Sequence, residues 1–453
     1  MHRPGAQALP TELAAASNTA NALARASPGC GQRSLDTRER KAMGLRQLGM
    51  IFGARAARPA AGDLPSGPPL GVAVIGAGTI SQTVHLPVLS SLSRVRLLAI
   101  CDVDVARATA AAKRFGVPRT TTDYREVLAD PAVAAVVIAT PHKWHYPITM
   151  AAIEAGKHVL CEKPLGMNFA EALRLYEAAQ RAGICHMVGF TYRFVPALRY
   201  MKALIQQGVI GEPRHFRSLR LQDVPEEDLG WRQRRDLAGY GELFDTGCHR
   251  IDYAHYLVGE IAAVAGSMRT FVPERRGSRG VLVPSDVEDW AAIVAEFKSG
   301  ATGVFEMTKL AKGHRRGGQA LDLAEVNGSE GTLIFDLRRP FHLQLGKPGG
   351  SLELIEVPKE YYKLPGSPRA ETGWDAAVAY RFDQDFAFVR AVLRGEPCTP
   401  SFADGARCQA VIQAVVMSAE QRRWVSVPPL DGTAALTMAA PGQRSPTGVK
   451  SEA

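Results

Sequence analysis

No apolar run in this 453-residue chain approaches 18 residues, so an ordinary membrane-spanning helix is not expected. Cysteine is scarce: seven residues, scattered singly, with no C-x-x-C pair and no regular spacing. That scatter argues against a zinc site or a disulfide framework and predicts free thiols in a reducing cytoplasm. There is no secretory apolar core, because Leu48-Gly49-Met50-Ile51-Phe52 is too brief, and no internal repeat. A strong charge excess is also missing from the body of the chain. The formal net charge is +9, but residues 1–70 hold nine Arg or Lys against four acids. Residues 430–453 balance, which leaves +4 for the rest. A charge that small over some 360 residues is no nucleic-acid footprint. What remains, 46% hydrophobic and 22% charged, describes a protein of about two ordinary domains.

The first 69 residues are rich in Ala, Arg, Gly, Ser and Pro and lack periodicity, and read as a disordered extension. A transit-like segment, or a start at Met43 or Met50, are the alternatives, and residues 60–69 read as a linker. From Leu70 the texture is α/β. Apolar strands are expected at Gly71–Ile75, Val95–Cys101, Val133–Thr140, His158–Cys161 and Ile184–Gly189. Between them helices are expected at Thr79–Leu92, Val105–Phe115, Ile148–Ala155 and Phe169–Ala182, the last with Asn168 as N-cap and Gly183 at its end. Strands alternating with helices mean βαβ units and a parallel sheet. From Arg214 period-2 segments take over, at Arg214–Leu221, Ala291–Phe297, Thr302–Thr308, Thr332–Asp336 and His342–Leu345. These predict an antiparallel sheet with one solvated or partner-covered face. Late helices at Asp383–Leu393 and Asp404–Glu420, a strand at Val425–Val427 and a polar tail from about 429 complete the reading.

Three constellations carry chemistry. Gly76-Ala77-Gly78-Thr79-Ile80-Ser81 follows a strand and opens a helix, the context of a dinucleotide-binding turn. Gly76 permits the tight turn, Gly78 lets backbone approach a pyrophosphate, and Ser81 is a small third residue. An ordinary strand-to-helix turn is the plain alternative. Asp102, at the end of the second strand, suits both adenosine ribose hydroxyls and favours NAD; nearby Arg107 keeps NADP open, and a helix N-cap is the other reading. The second constellation, Glu162-Lys163-Pro164, puts a lysine at the carboxyl end of a strand, where open α/β sheets bind ligands. A solvated loop lysine is the bland version. Thr140-Pro141-His142 ends the third expected strand, and His145 either approaches a nicotinamide edge or caps a helix.

The third is Asp245…His249…Asp252. If helical, Asp245 and His249 share a face one turn apart, where a carboxylate can orient an imidazole. Oxidising an alcohol needs a base for the hydroxyl proton, and histidine suits that work near neutral pH. A structural Asp–His pair fits as well. A His–Asp metal site is a third option, which only Glu242 and His255 could join, and neither spacing is a recognised ligand pattern.

Together with His85-Leu86-Pro87, Ala155 through Leu165, and Val188-Gly189-Phe190…Arg193-Phe194, these segments resemble the Gfo/Idh/MocA oxidoreductases, the glucose–fructose oxidoreductase and inositol dehydrogenase group. The resemblance spans about 71–428. It implies an α/β Rossmann domain over 70–190 and an α+β domain over 191–428, with a large, mostly antiparallel open sheet. It implies hydride transfer between NAD (or NADP) and a secondary hydroxyl or ketone of a sugar, cyclic polyol or derivative. Lys163 would contact nicotinamide and substrate, His249 would be the acid/base, and Asp245 would bind substrate and tune it. Gly76, Gly78, Thr79, Ile80, Asp102, Thr140, Pro141, His145, Glu162 and Lys163 would line the cofactor site. Arg193 would join Lys163, Asp245 and His249 at the substrate. A homodimer or homotetramer is implied, with no metal, nucleic acid or membrane partner. Tyr240 interrupts a glycine-rich stretch of the family, and His142 stands where many members carry Asn. The competing functions are a redox-neutral, NAD-dependent glycoside cleavage and a non-catalytic dinucleotide-binding regulator.

Overall fold

The computed structural model describes residues 63–224, 229–277, 280–314, 320–371 and 376–431; the expectations for residues 1–62 and for the tail beyond 431 lie outside them. Six short strands form the first sheet: β1 (Leu70–Ile75), β2 (Val95–Cys101), β3 (Arg119–Thr121), β4 (Ala135–Ile138), β5 (His158–Cys161) and β6 (His186–Val188). Their order is β3-β2-β1-β4-β5-β6, and every pairing is parallel. The order reverses between β1 and β4, so a crevice opens at their carboxyl ends, the usual ligand position in such sheets. β1 is buried along its whole length, as its β-branched run requires. Strand β3 escaped the sequence reading because Arg119-Thr120-Thr121 is polar. It lies at the sheet edge, where only one side must be apolar.

Helices α1 (Leu86–Ser91), α2 (Val105–Phe115), α3 (Tyr124–Leu128), α4 (His145–Glu154) and α5 (Phe169–Ala182) flank these strands. Gly116 closes α2 in the left-handed conformation, φ +68°. Asn168 accepts the Glu171 amide at the start of α5.

After α6 (Pro196–Gln206) and α7 (Cys248–Leu257), the second sheet gathers strands β7 (Pro213–Leu221), β8 (Ile261–Arg269), β11 (Trp290–Phe297), β12 (Thr302–Thr308), β13 (Leu321–Gly328), β14 (Thr332–Asp336), β15 (His342–Gly346), β16 (Leu352–Glu356) and β17 (Val425–Ser426). β9 (Glu274–Arg276) and β10 (Leu282–Pro284) form a separate ribbon. The nine strands run β16-β15-β14-β13-β7-β12-β11-β8-β17, antiparallel except for the parallel β7/β12 pair. β8 was not legible in advance because Ala and Gly dominate it. The small residues let α9 (Phe402–Gln421) lie close; a Cβ on Gly266 would stand 2.8 Å from Val415.

Three sequence readings need correction. Residues 63–69 are not a free linker: Leu64 is buried, Arg94 donates to the carbonyls of Pro65 and Pro68, and Arg394 pairs with Asp63. Helix α8 (Ala376–Arg394) does not start at Asp383. Asp383 and Asp385 lie inside it, fully buried, where Arg369 and His85 satisfy them. Phe382, Phe386, Phe388 and Val389 of α8 join Val72, Val74 and Leu86 in one apolar cluster, so this late helix closes the first sheet. Finally, the thiols are not all free. Cys185, just before β6, and Cys398, just before α9, form a disulfide across 213 residues. Their Cα atoms are 6.0 Å apart, a proximity made by tertiary packing that single scattered cysteines could not advertise. Cys101, Cys161, Cys248 and Cys408 are free and buried.

Candidate active site

The glycine turn leaves β1 with Gly76 at φ +97°. A Cβ there would lie 2.5 Å from the Ala139 carbonyl oxygen, so only glycine lets β1 and β4 end this close together. At Gly78 a Cβ would meet nothing within 4 Å; it would project into open space beside the turn, space that fits a pyrophosphate. The Ser81 hydroxyl donates to the Gly76 carbonyl and locks the turn. The following segment, Ser81–His85, is a π-helical turn that runs into α1. Asp102 sits at the end of β2, its Oδ2 accepting the Ala77 amide of the turn at 2.7 Å and its Oδ1 the Asp104 amide at 2.9 Å. Arg107 approaches the same carboxylate at 3.3 Å and pairs with Asp104 at 2.9 Å. The N-cap of α2 is Asp104 and not Asp102, so the carboxylate of Asp102 serves the glycine turn.

Strand β5 runs into Glu162-Lys163-Pro164, with a cis peptide before the proline. Lys163 Nζ donates to the Asp245 carbonyl at 2.7 Å and to its Oδ1 at 3.1 Å. Asp245 lies in a second π-helical turn, Leu243–Gly247, that leads into α7 and His249. Two more cations converge on it: Lys309, just past β12, stands 3.5 Å from Oδ2, and Arg232 stands 3.4 Å from Oδ1. Lys309 also pairs with buried Glu242 at 2.7 Å. Burial alone would raise the Asp245 carboxyl, but Lys163, Arg232 and Lys309 hold it well below the usual carboxylate range. Burial likewise opposes the Lys163 charge, and Asp245 outweighs it, so the lysine stays protonated. His249 responds the other way. Burial, then the charges of Lys163 and Arg250, hold it well below 6.5, and it is neutral at physiological pH. Its ring packs against Tyr192 at 4.5 Å, and its buried Nδ1 has no hydrogen-bond partner.

A cavity of about 60 Å³ draws these pieces together: Ile80, Glu162, Lys163 and His249 line it, with Thr191 and Gln384. Other expected site residues lie elsewhere. Arg193 does not line this cavity; its guanidinium grips Asp252, both Nε contacts at 3.0 Å, and reaches Asp404 at 3.1 Å. Asp252 is taken up in that pair. His145 holds both ring nitrogens against backbone carbonyls, Pro164 at 2.7 Å and Thr140 at 2.9 Å. It ties the end of β4 to the Lys163 turn and presents no free edge to a nicotinamide. His142 is buried against Trp231 and bonds the Ala238 carbonyl.

The site also contains residues the sequence did not single out, Lys309, Gln384 and Asp385, the last joining His85 and the expected Glu162 in one trio. His85 Nδ1 meets Asp385 at 3.0 Å, and Nε2 meets Glu162 at 3.3 Å. His85-Leu86-Pro87 was conspicuous as text, but nothing in it announced two carboxylates.

Residues 70–190 match the oxidoreductase family with an NAD-binding Rossmann fold, and residues 198–334 match the Gfo/Idh/MocA C-terminal domain. The chain belongs to the Gfo/Idh/MocA family. Among its relatives, levoglucosan dehydrogenase of Pseudarthrobacter phenanthrenivorans is 35% identical over 73% of this chain and 89% of its own length. Myo-inositol 2-dehydrogenase of Thermotoga maritima is 30% identical over 79% of this chain and 98% of its own. A levoglucosan dehydrogenase solved with NADH and levoglucosan superposes with a TM-score of 0.73 at 32% identity, covering 80% of this chain and all of that one. The chain is thus an oxidoreductase with an NAD-binding Rossmann fold.

The buried trio has a pH signature. Burial alone would lower His85, but Asp385 and then Glu162 outweigh it and push it up from 6.5 to about 10. A folded-state value above the unfolded one stabilises fully below about pH 6.5, and that contribution is lost as pH rises through about 10. The gap in melting temperature between wild type and His85→Gln is therefore expected to be widest near pH 6.5 and to narrow steadily toward pH 10. A gap that stays constant across that window would refute a charged His85.

Proposed function

We propose that the chain oxidises a secondary hydroxyl of a sugar or cyclic polyol with Lys163, Asp245 and His249 as its reacting constellation, on a dinucleotide-binding region over 70–190 and a substrate and assembly region over 191–428. One observation carries the reading: a lysine kept charged and a histidine kept neutral face the same cavity beside the glycine turn. NAD, when bound, supplies the hydride acceptor. Gly76, Gly78, Thr79 and Ile80 would shape its binding turn, and Asp102 would take its adenosine ribose. Neutral His249 accepts the hydroxyl proton as the carbonyl forms and returns it in the reverse direction. Lys163 donates to the substrate oxygen and stabilises negative charge developing there. Asp245, itself held by Lys309 and Arg232, keeps Lys163 aimed and charged. The levoglucosan and inositol dehydrogenases among the relatives support a ring-bearing substrate, and a panel of such polyols read by NADH formation identifies it.

His249→Ala should lower turnover at least about 10²-fold while NADH affinity, read by fluorescence titration, changes little. Because the base form must be present and its pKa is lowered, the acid limb of kcat/KM should fall below pH 6.5. Near-normal turnover in that variant would remove His249 from the mechanism.

Asp102→Ser should relax discrimination against NADP, since it removes the carboxylate that repels a 2′-phosphate while Arg107 remains. An unchanged ratio of kcat/KM for the two cofactors would show that the ribose is held elsewhere.

The assembly is proposed to be a homodimer or homotetramer joined through the outer face of the nine-stranded sheet. Val294 and Val304 lie opposite each other on that face, 45% and 38% exposed, and Leu354 is 52% exposed further along it. Sedimentation velocity should give a dimer or tetramer for the wild type and a smaller species for the pair Val294→Glu and Val304→Glu. A monomeric wild type would overturn the assignment.

A further inference from the structure

We propose that Gln384 is a cofactor-binding residue whose side-chain oxygen accepts a hydrogen bond from the carboxamide NH2 of the nicotinamide ring. Gln384 belongs to α8, far along the chain from the glycine turn, and is only 1% exposed. Its Oε1 is buried and has no hydrogen-bond partner. The amide cannot simply be turned over. Its Nε2 donates to Asp385 Oδ1 at 3.3 Å, and that carboxylate already accepts from His85 Nδ1. A carboxylate takes the amide nitrogen and repels the oxygen, so Oε1 is left for the cavity that Gln384 lines.

The surroundings say what should meet it. Ile80, just before the π-helical turn, and Val84 within it give this part of the cavity an apolar wall, suited to the flat face of an aromatic ring. Lys163 and His249, the charged and basic groups a polyol needs, line the same cavity and are assigned to the substrate above. An acceptor left unpaired in a buried site costs about 1–3 kcal/mol, which a ligand N–H recovers. The carboxamide is the donor that nicotinamide offers beside its reacting carbon. Fixing it also fixes which face of the ring turns toward the substrate. Gln384 in turn is oriented by Asp385 and His85, so the buried trio sets the ring's position indirectly.

The inference rests on nicotinamide occupying this cavity, and the test separates the two. Calorimetric titration of the full chain compares NADH with reduced 3-acetylpyridine adenine dinucleotide, in which a methyl group replaces the NH2. Wild type should bind NADH about tenfold more tightly than the analogue. Gln384→Leu and Gln384→Met should bind the two alike, by losing affinity for NADH alone. Equal affinities in the wild type, or a preference that survives in both variants, would overturn the assignment. Absence of NADH binding to the wild type would instead defeat the occupancy on which it rests. If neither variant folds, as shown by its melting curve, the wild-type comparison decides.

Discussion

Lys163 and Asp245 come from parts of the chain some 80 residues apart, and neither is stable in its place without the other. Each side chain is largely withdrawn from water, 14% and 20% exposed, and a buried charge must be paired or neutralised. The lysine leaves the carboxyl edge of the parallel sheet; the aspartate sits in a π-helical turn under the antiparallel one. Lys309 extends the pairing to the end of β12, and Glu242 answers Lys309 from within the site. One alternating array of charges therefore crosses from the first sheet to the second. The cavity lies against this array, so its position follows from the ion pairs as much as from the apolar packing. Removing one member leaves the others uncompensated, which is why the array acts as a unit.

Two of the helices that face the cavity begin with a π-helical turn, Ser81–His85 after the glycine turn and Leu243–Gly247 before α7. Such turns are wider than an α-turn and are common at functional sites. Here each delivers groups that an ordinary helix start would have placed differently. The first carries Val84 to the cavity wall and His85 to Asp385; the second carries Asp245 to Lys163. The sequence suggested plain helices in both places, because a single inserted residue in a helical turn leaves no periodic trace.

What was legible follows from what is local. A glycine turn, a lysine before a proline and an Asp-x-x-x-His spacing each express a constraint on consecutive residues, so Gly76, Lys163, Asp245 and His249 could be found by reading. So could the parallel sheet and six strands of the other, because period and turn chemistry are local too. Arg193 could be found but not assigned. An arginine after a strand looks the same whether it faces a ligand or a distant carboxylate, and only packing revealed Asp252 and Asp404 as its partners. Asp385, Gln384, Lys309 and the Cys185–Cys398 link were out of reach for the same reason. A polar residue buried by a segment hundreds of positions away carries no mark of it. Within α8, Asp383-Gln384-Asp385 between phenylalanines even suggested a helix start, when the acids were instead the buried face.

The two histidines closest to the chemistry show how such distant contacts decide function. His85 and His249 are both buried, and burial alone would strip the charge from each. Their neighbours differ in sign. His85 lies between Asp385 and Glu162 and is held protonated; His249 lies near Lys163 and Arg250 and is held neutral. A protonated imidazole fixed between two carboxylates cannot accept a proton, so His85 can only hold α8, the π-helical turn and Glu162 in register. A neutral one beside a fixed cation can accept a proton, and the same cation disfavours keeping it, so the proton is readily returned in the reverse reaction. Pushing like groups apart in this way assigns scaffold and base within one site. The same side chain takes two roles because the fold surrounds one with acids and the other with bases.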